Sequence, residues 1–395
     1  MIYQFADCQL DARAHVLMRD GQEVHCEPQV FDLLVLLATR APALVSYDDM
    51  IRDIWKGRIV SDSTLAARVA AARAAVGDDG KRQAVIRTVP RRGVQLAVPV
   101  TIGTNDAIHA APSRPEVRQI IRYTSSRDGT GLAWAEMGDG PPLLRAGHWL
   151  SHLEHDLHSP VWRPLLDRQS AGRRLVRYDP RGTGLSDRDV DFSRVSVEDL
   201  ADDLEAVADA AGLDRFPIYA ISQSVPVALT FAARHPDRVS RMILHNGLVQ
   251  GSTARGEPEK TETMVAMIRS GWGIPDSPFM RAVATVFAPR STSEELESLV
   301  HIQTVSATPD NAAEIRRVVG EIDVLDRLDK ITCPVLIMHS SGDAVQSPDQ
   351  SKLMARGLKD AQFQSWDSNN HMLVPSDPIW DAVVTEFDRF LSEGE

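Results

Sequence analysis

Three residues lying far apart in the chain could together carry out acyl transfer: Ser222 in PIYAISQSVPV, Asp343 in SSGDAVQSP and His371 in SNNHMLVPSDP. A serine hydroxyl is a poor nucleophile until a histidine can accept its proton. The histidine in turn needs a carboxylate to fix its tautomer and stabilise its cation. Ala220-Ile221-Ser222-Gln223-Ser224 has the outline of G-x-S-x-G with both glycines replaced. That turn is tight, because a strand and a helix approach closely around the serine, so the outer positions must be small. Alanine and serine are the next smallest choices, and the turn is expected to form. A tetrahedral oxyanion would need two N–H donors, for which Gln223 and His148, in LLRAGHW, are the candidates. Taken singly, Ser222 could be a small turn residue, Asp343 a Gly-Asp turn and His371 a loop histidine. Only their co-occurrence points to a triad. Misplacement by about one ångström can cost a hundredfold in rate, so a working serine and the shell of one both stay open.

The elements that would position these groups alternate strand and helix. RRLVRYD, PIYAIS, RMILHN and PVLIMHS are short apolar runs suited to a buried parallel sheet, separated by amphipathic segments such as VEDLADDLEAVADAAG. This is α/β architecture. Between residues 249 and 328 the strand signal gives way to TETMVAMIRS, PFMRAVATVF, SEELESLVHIQTV and NAAEIRRVVGEID, which predict a helical cap. Within and beside it, Met264, Met267, Trp272 and Phe279 could wall an apolar pocket, with Trp149 near its base; most could equally be plain core. GHWLSHLEHDLHSPVW holds His148, His152, His155 and His158 beside Glu154 and Asp156. Their spacing supplies at most one face of a short helix, so no metal site is expected.

The first hundred residues have a different order. CQLDARAHVLMRDGQEV alternates around a turn at Asp20-Gly21. PQVFDLLVLLATRA has helical periodicity, SYDDMIRDIW opens on a serine cap with acidic residues in its first turn, and SDSTLAARVAAARAAV follows a second cap. AVIRTVPRRGVQLAV reads as an arginine-rich hairpin. Residues 101–115, TIGTNDAIHAAPSRP, lack any period and predict a linker. The expected division is 1–100, a linker at 101–115, and 116–395.

Charge divides along the same line. The net charge is −12, yet residues 51–100 hold ten Lys/Arg against four Asp/Glu, while residues 116–395 hold 29 against 42. One part could attract phosphate that the other would repel. Cys8, Cys26 and Cys333 are scattered, which excludes a disulfide framework and a thiolate zinc site. Neither a signal peptide nor an apolar run long enough to span a membrane is visible, so the cytoplasm is the expected location.

Residues 1–98 are similar to the OmpR/PhoB-type winged helix-turn-helix domain. The helix pair, the tryptophan before the third helix, the Gly-Asp-Asp-Gly turn and the IRTV wing occur in order, with Val94 where that family usually has tyrosine. The resemblance implies double-stranded DNA as partner. Ser63, Thr64, Arg68 and Arg73 would lie on the recognition helix and Arg87, Arg91 and Arg92 in or near the wing, with Arg68 the favoured contact. Residues 118–393 resemble the α/β-hydrolase family. Its Asp-x-Arg-Gly-x-Gly-x-Ser loop matches DPRGTGLS at 179–186, and the strand, elbow, helix and next strand match AISQSVPVALTFAARHPDRVSRMILHN. The resemblance implies Ser222, Asp343 and His371 as catalytic residues and His148 and Gln223 as oxyanion donors. Together they predict a one-component regulator, expected as a homodimer and without a cofactor, that senses a small, mostly apolar ligand. A serine hydrolase acting on an ester or lactone, with the DNA-binding module for targeting or autoregulation, is the alternative. An interaction scaffold is a third.

Overall fold

The computed structural model describes residues 2–12, 16–19, 22–24, 26–55, 60–90, 92–103, 119–148, 151–274 and 277–393. It divides into two compact units, Met1–Glu116 and Val117–Glu395.

The first unit opens with four antiparallel strands, β1 (Ile2–Phe5), β2 (Cys8–Asp11), β3 (Val16–Arg19) and β4 (Gln22–Glu23). The turn expected at Asp20-Gly21 lies outside the described residues, although Arg19 pairs with Gln22 across it. Helices α1 (Pro28–Arg40), α2 (Tyr47–Ile54) and α3 (Asp62–Ala75) follow, with the two-residue strand β5 (Val45–Ser46) before α2. Ser46 and Asp49 form a reciprocal capping box at the start of α2, and Ser61 caps α3 through the Thr64 amide. Each cap is worth about 1 kcal/mol. The wing is β6 (Ile86–Val89) and β7 (Gly93–Leu96), and β5 joins it to make a three-stranded sheet. Gly93 is required there: its φ is +146°, and a Cβ would meet the Val45 carbonyl oxygen at 2.0 Å. Val94, where the resembling family usually has tyrosine, is fully buried and paired with Val45. The linker also begins later than expected. Thr101–Gly103 form β8, which pairs antiparallel with β1 and closes that sheet's edge; the rest of 101–115 lies outside the described residues.

The second unit is built on one sheet. Its strands are β9 (Ile120–Ser125), β10 (Gly131–Met137), β11 (Pro142–Arg145), β12 (Arg174–Tyr178), β13 (Phe216–Ile221), β14 (Val239–His245), β15 (Val335–Ser340) and β16 (Ala361–Trp366). The spatial order is β16-β15-β14-β13-β11-β12-β10-β9. From β12 to β16 the neighbours are parallel, and β9 and β10 form an antiparallel edge. Helices α4 (Trp162–Ser170), α5 (Val197–Ala210) and α6 (Ser224–Arg234) connect the first parallel strands. The cap is α7 (Pro258–Gly271), α8 (Pro278–Phe287), α9 (Ser293–Ser306) and α10 (Pro309–Glu321), inserted between β14 and β15. Helices α11 (Pro348–Gly357) and α12 (Trp380–Ser392) complete the layers. Period-2 burial splits the sheet's side chains. Leu144, Ile218, Ala220 and Leu244 face the core containing α5 and α6, while Leu143, Tyr219, Ile221 and Ile243 face the core containing α4, α12 and the cap.

Candidate active site

The serine turn forms without its glycines. Ser222 follows β13 at φ +56°, a left-handed conformation that an L side chain adopts only under constraint. Its amide is held by the His245 carbonyl at 2.9 Å, at the end of the neighbouring strand. Ala220 is fully buried, and Ser224 disposes of its extra atom by bonding backward: its hydroxyl donates to the Ile221 carbonyl at 2.8 Å and accepts the Ile221 amide at 2.9 Å. The substitute for the second glycine therefore ties the turn rather than prising it open. Gln223 is the N-cap of helix α6, where amides lack intrahelical acceptors.

Across the sheet, Asp343 and His371 are both buried, with Nδ1 of His371 and Oδ2 of Asp343 2.7 Å apart. The other Asp343 oxygen accepts the Val345 and Gln346 amides at 2.7 and 3.1 Å. Burial pushes this carboxyl up, but the neighbouring His371 and the two amides outweigh it and hold it below the usual carboxylate range. His371 Nε2 has no hydrogen-bond partner among the described residues, so the ring nitrogen that would serve a hydroxyl is unspent.

Two residues that the sequence reading missed lock this loop. Asn246, itself at φ +46°, donates from Nδ2 to the His371 carbonyl at 2.7 Å and accepts the Ser340 amide at 2.8 Å. Phe287, the last residue of α8, accepts the His371 and Met372 amides at 2.8 and 3.0 Å, and its ring meets the His371 ring edge-on at 5.3 Å. The Asn beside a strand end was visible in RMILHN; the link from the cap to His371 had no local signal.

Ser222 opens onto a cavity of about 310 Å³ whose lining includes Gln223, Met264, Met267, Trp272 and Phe287. Met264, Met267 and Trp272 are thus among the lining residues, whereas Phe279 packs against Gly271, in the cap core. Trp149 lies outside the described residues. His148 is not among the residues lining the cavity; its side chain is buried against Trp162, with Nε2 3.1 Å from the Arg145 guanidinium. Burial, Arg145 and Arg177 all lower its pKa, favouring a neutral ring. Asp179 orders the same loop by accepting the Ser151 hydroxyl and the Leu153 amide. Among the described residues no group of three or more His, Cys, Asp or Glu is gathered as metal ligands. His155 instead contacts His301 of α9 at 3.0 Å and meets His152 edge to face.

In the first unit the expected DNA contacts separate. Ser63, Arg87 and Arg92 are exposed, and Thr64 is half-buried beside the Ser61 cap, with which it shares a hydrogen bond. Arg68 is ion-paired with Glu27. Arg73 requires correction: it is 8% exposed, its Nε donates to the Ile86 carbonyl at 3.0 Å and its guanidinium to the Thr88 hydroxyl at 2.6 Å. It fastens the recognition helix to the wing, because an arginine in the last turn that faces inward must spend its donors on nearby acceptors. Arg91 lies outside the described residues.

Comparison with known proteins agrees with both units. Residues 153–378 match the family described as alpha/beta hydrolase fold, and residues 21–96 match transcriptional regulatory protein, C terminal. The putative carbamate hydrolase RutD of Caulobacter sp. (strain K31) is 25% identical over 233 residues, covering 57% of this chain and 84% of RutD. The transcriptional activator CadC of Escherichia coli (strain K12) is 34% identical over 85 residues, 21% of this chain and 17% of CadC. The crystal structure of the enol-lactonase from Burkholderia xenovorans LB400 superposes with a TM-score of 0.55 at 22% identity, covering 69% of this chain and 100% of that one. Esterase RhEst1 from Rhodococcus sp. ECU1013 gives 0.55 at 20% identity, covering 69% and 98%. At such identities these structures speak for the fold alone. The chain belongs to the α/β-hydrolase fold family and carries an OmpR/PhoB-type DNA-binding regulator domain in its N-terminal part.

Proposed function

We propose that this protein is a one-component transcription regulator in which a small ligand, bound in the Ser222 cavity, changes affinity for an operator. The observation that carries this reading is an apolar cavity of about 310 Å³ beneath a helical cap, on the same chain as a DNA-binding regulator domain. Its lining and size suit a small, largely apolar molecule. Ligand binding would favour one arrangement of paired DNA-binding modules in a homodimer, and only differential affinity for two arrangements can drive that change.

The strained Ser222 backbone and the buried Asp343–His371 pair favour a second reading, a serine hydrolase of esterase or lactonase type. His371 Nε2 would take the Ser222 proton as Oγ attacks an acyl carbonyl. The oxyanion would meet the Gln223 and His148 amides, and His371 would return the proton to the leaving group before water releases the acyl chain. The name of the relative RutD, carbamate hydrolase, suits an acyl substrate. The two readings are compatible, since slow turnover of an inducer would reset the switch.

The test is fluorophosphonate labelling and hydrolysis of 4-nitrophenyl butyrate by wild type and Ser222→Ala, alongside binding to DNA fragments selected in vitro. A hydrolase loses labelling, and about 10⁴-fold or more in turnover, on Ser222→Ala. A wild type that neither labels nor turns over, while binding DNA, leaves the sensor reading alone. DNA affinity that no cavity ligand alters would exclude it.

A further inference from the structure

Among the described residues the cavity wall is apolar save for Ser222, two glutamines and one side chain from the cap, Arg316 of α10. Its neighbour in sequence behaves as surface arginines usually do: Arg317 pairs with Glu314 at 2.6 Å and with Glu262 at 3.5 Å. Arg316, half-buried, forms no ion pair among the described residues. It donates to the Ser252 hydroxyl at 3.1 Å, and that hydroxyl is already shared with Thr261 at 2.6 Å. The charged group bearing on it is a second cation, Arg255, whose own partners are the Gln250 carbonyl and Glu257. Burial, reinforced by Arg255, lowers the Arg316 pKa, the mark of a cation held without its counterion. Such a group costs stability unless paired. Helix packing does not demand it, since α10 holds its place through Ile315, Val318 and Val319.

We infer that Arg316 is an anchor for an anionic group, so that the cavity takes an apolar acid whose carboxylate meets the guanidinium while its hydrocarbon part lies against Met264, Trp272 and Phe287. A guanidinium presents paired donors that match a carboxylate in bidentate fashion, and the pairing strengthens where water is excluded. This rests on the proposal that the Ser222 cavity is the ligand site; it adds the chemical class of the ligand.

The experiment measures calorimetric Kd values for octanoate and for octanamide, a neutral analogue of the same length, on the full-length wild type, Arg316→Gln and Arg316→Lys. Octanoate is expected to bind roughly tenfold or more tightly than octanamide. Arg316→Gln abolishes that preference by weakening octanoate, while octanamide changes by less than about twofold. Arg316→Lys keeps the charge and retains part of the preference, which separates loss of the cation from loss of the fold. Equal affinities in the wild type, or a preference that survives Arg316→Gln, overturn the inference and leave the cavity reading standing. Failure of both probes to bind overturns the two together.

Discussion

The two units use their polar residues in opposite ways. In the DNA-binding unit the charges proposed to meet DNA lie outside, and burial withdraws a residue from the surface: Arg73 is absorbed by the Ile86 carbonyl and the Thr88 hydroxyl, whereas Arg87 and Arg92 stay exposed. In the hydrolase-fold unit the proposed function would require burial. Asp343 and His371 are 8% and 0% exposed; Asp343 is held by the Val345 and Gln346 amides of its own loop, and His371 by Asn246 and Phe287 from distant segments. A surface that binds phosphate through water needs only charge in roughly the right region. A proton relay needs groups fixed to fractions of an ångström in a site from which water is excluded.

The sharpest way to break this contrast is Asp343→Asn. If the buried pair serves turnover, the substitution lowers kcat on a chromogenic ester by about 10⁴-fold, because the histidine loses its tautomer and the partner of its cation. A loss below tenfold would detach Asp343 from the chemistry. Next in size is a matched set in the other unit. Arg73→Ala should destabilise that unit by about 1–3 kcal/mol, since buried acceptors lose their donor, read as a lower Tm. Arg87→Ala and Arg92→Ala should leave Tm in place, weaken DNA binding evenly across sequences and reduce the salt slope by about one each. Were Arg73→Ala to behave like Arg87→Ala, burial would not be what separates them.

The smallest expected effect is in pH. Asp78, in the Gly-Asp-Asp-Gly turn, is buried, which raises its pKa, but the amides of Ile86, Val85, Asp79 and Ala84 outweigh this and hold it at about 2. A carboxyl depressed on folding contributes stability that is present above its ordinary value and lost as pH falls through the depressed one. Hydrogen exchange at the Val85 and Ile86 amides should therefore accelerate as pH drops from about 4 towards 2, beyond its intrinsic pH dependence, and Asp78→Asn should flatten that response.

Much of the site was legible because its residue types and order are constrained by chemistry. Serine, aspartate and histidine each follow an apolar run or sit in a polar loop whose length and composition mark it. Ala220 and Ser224 also signalled a tight turn through size alone. Less could be read where a side chain has two faces to choose from. NAAEIRRVVGEID offers two adjacent arginines, and only the packing of α10 against α7 turns Arg316 to the cavity and leaves Arg317 to Glu314. ARVAAARAAV likewise presents Arg68 and Arg73 alike, while the wing's position buries one and leaves the other to Glu27.

By itself, then, the amino-acid order determined the two units, the strand and helix alternation, the strained serine turn and the three residue types of a triad. These follow from local periodicity, capping and side-chain size, which act over a few residues. Tertiary structure decided which charges are spent on packing, which nitrogen of His371 is left unpaired among the described residues, and that one cap arginine borders the Ser222 cavity without a counterion among them. Those outcomes depend on which segments meet in space, and desolvation sets their energetic weight only once they have met.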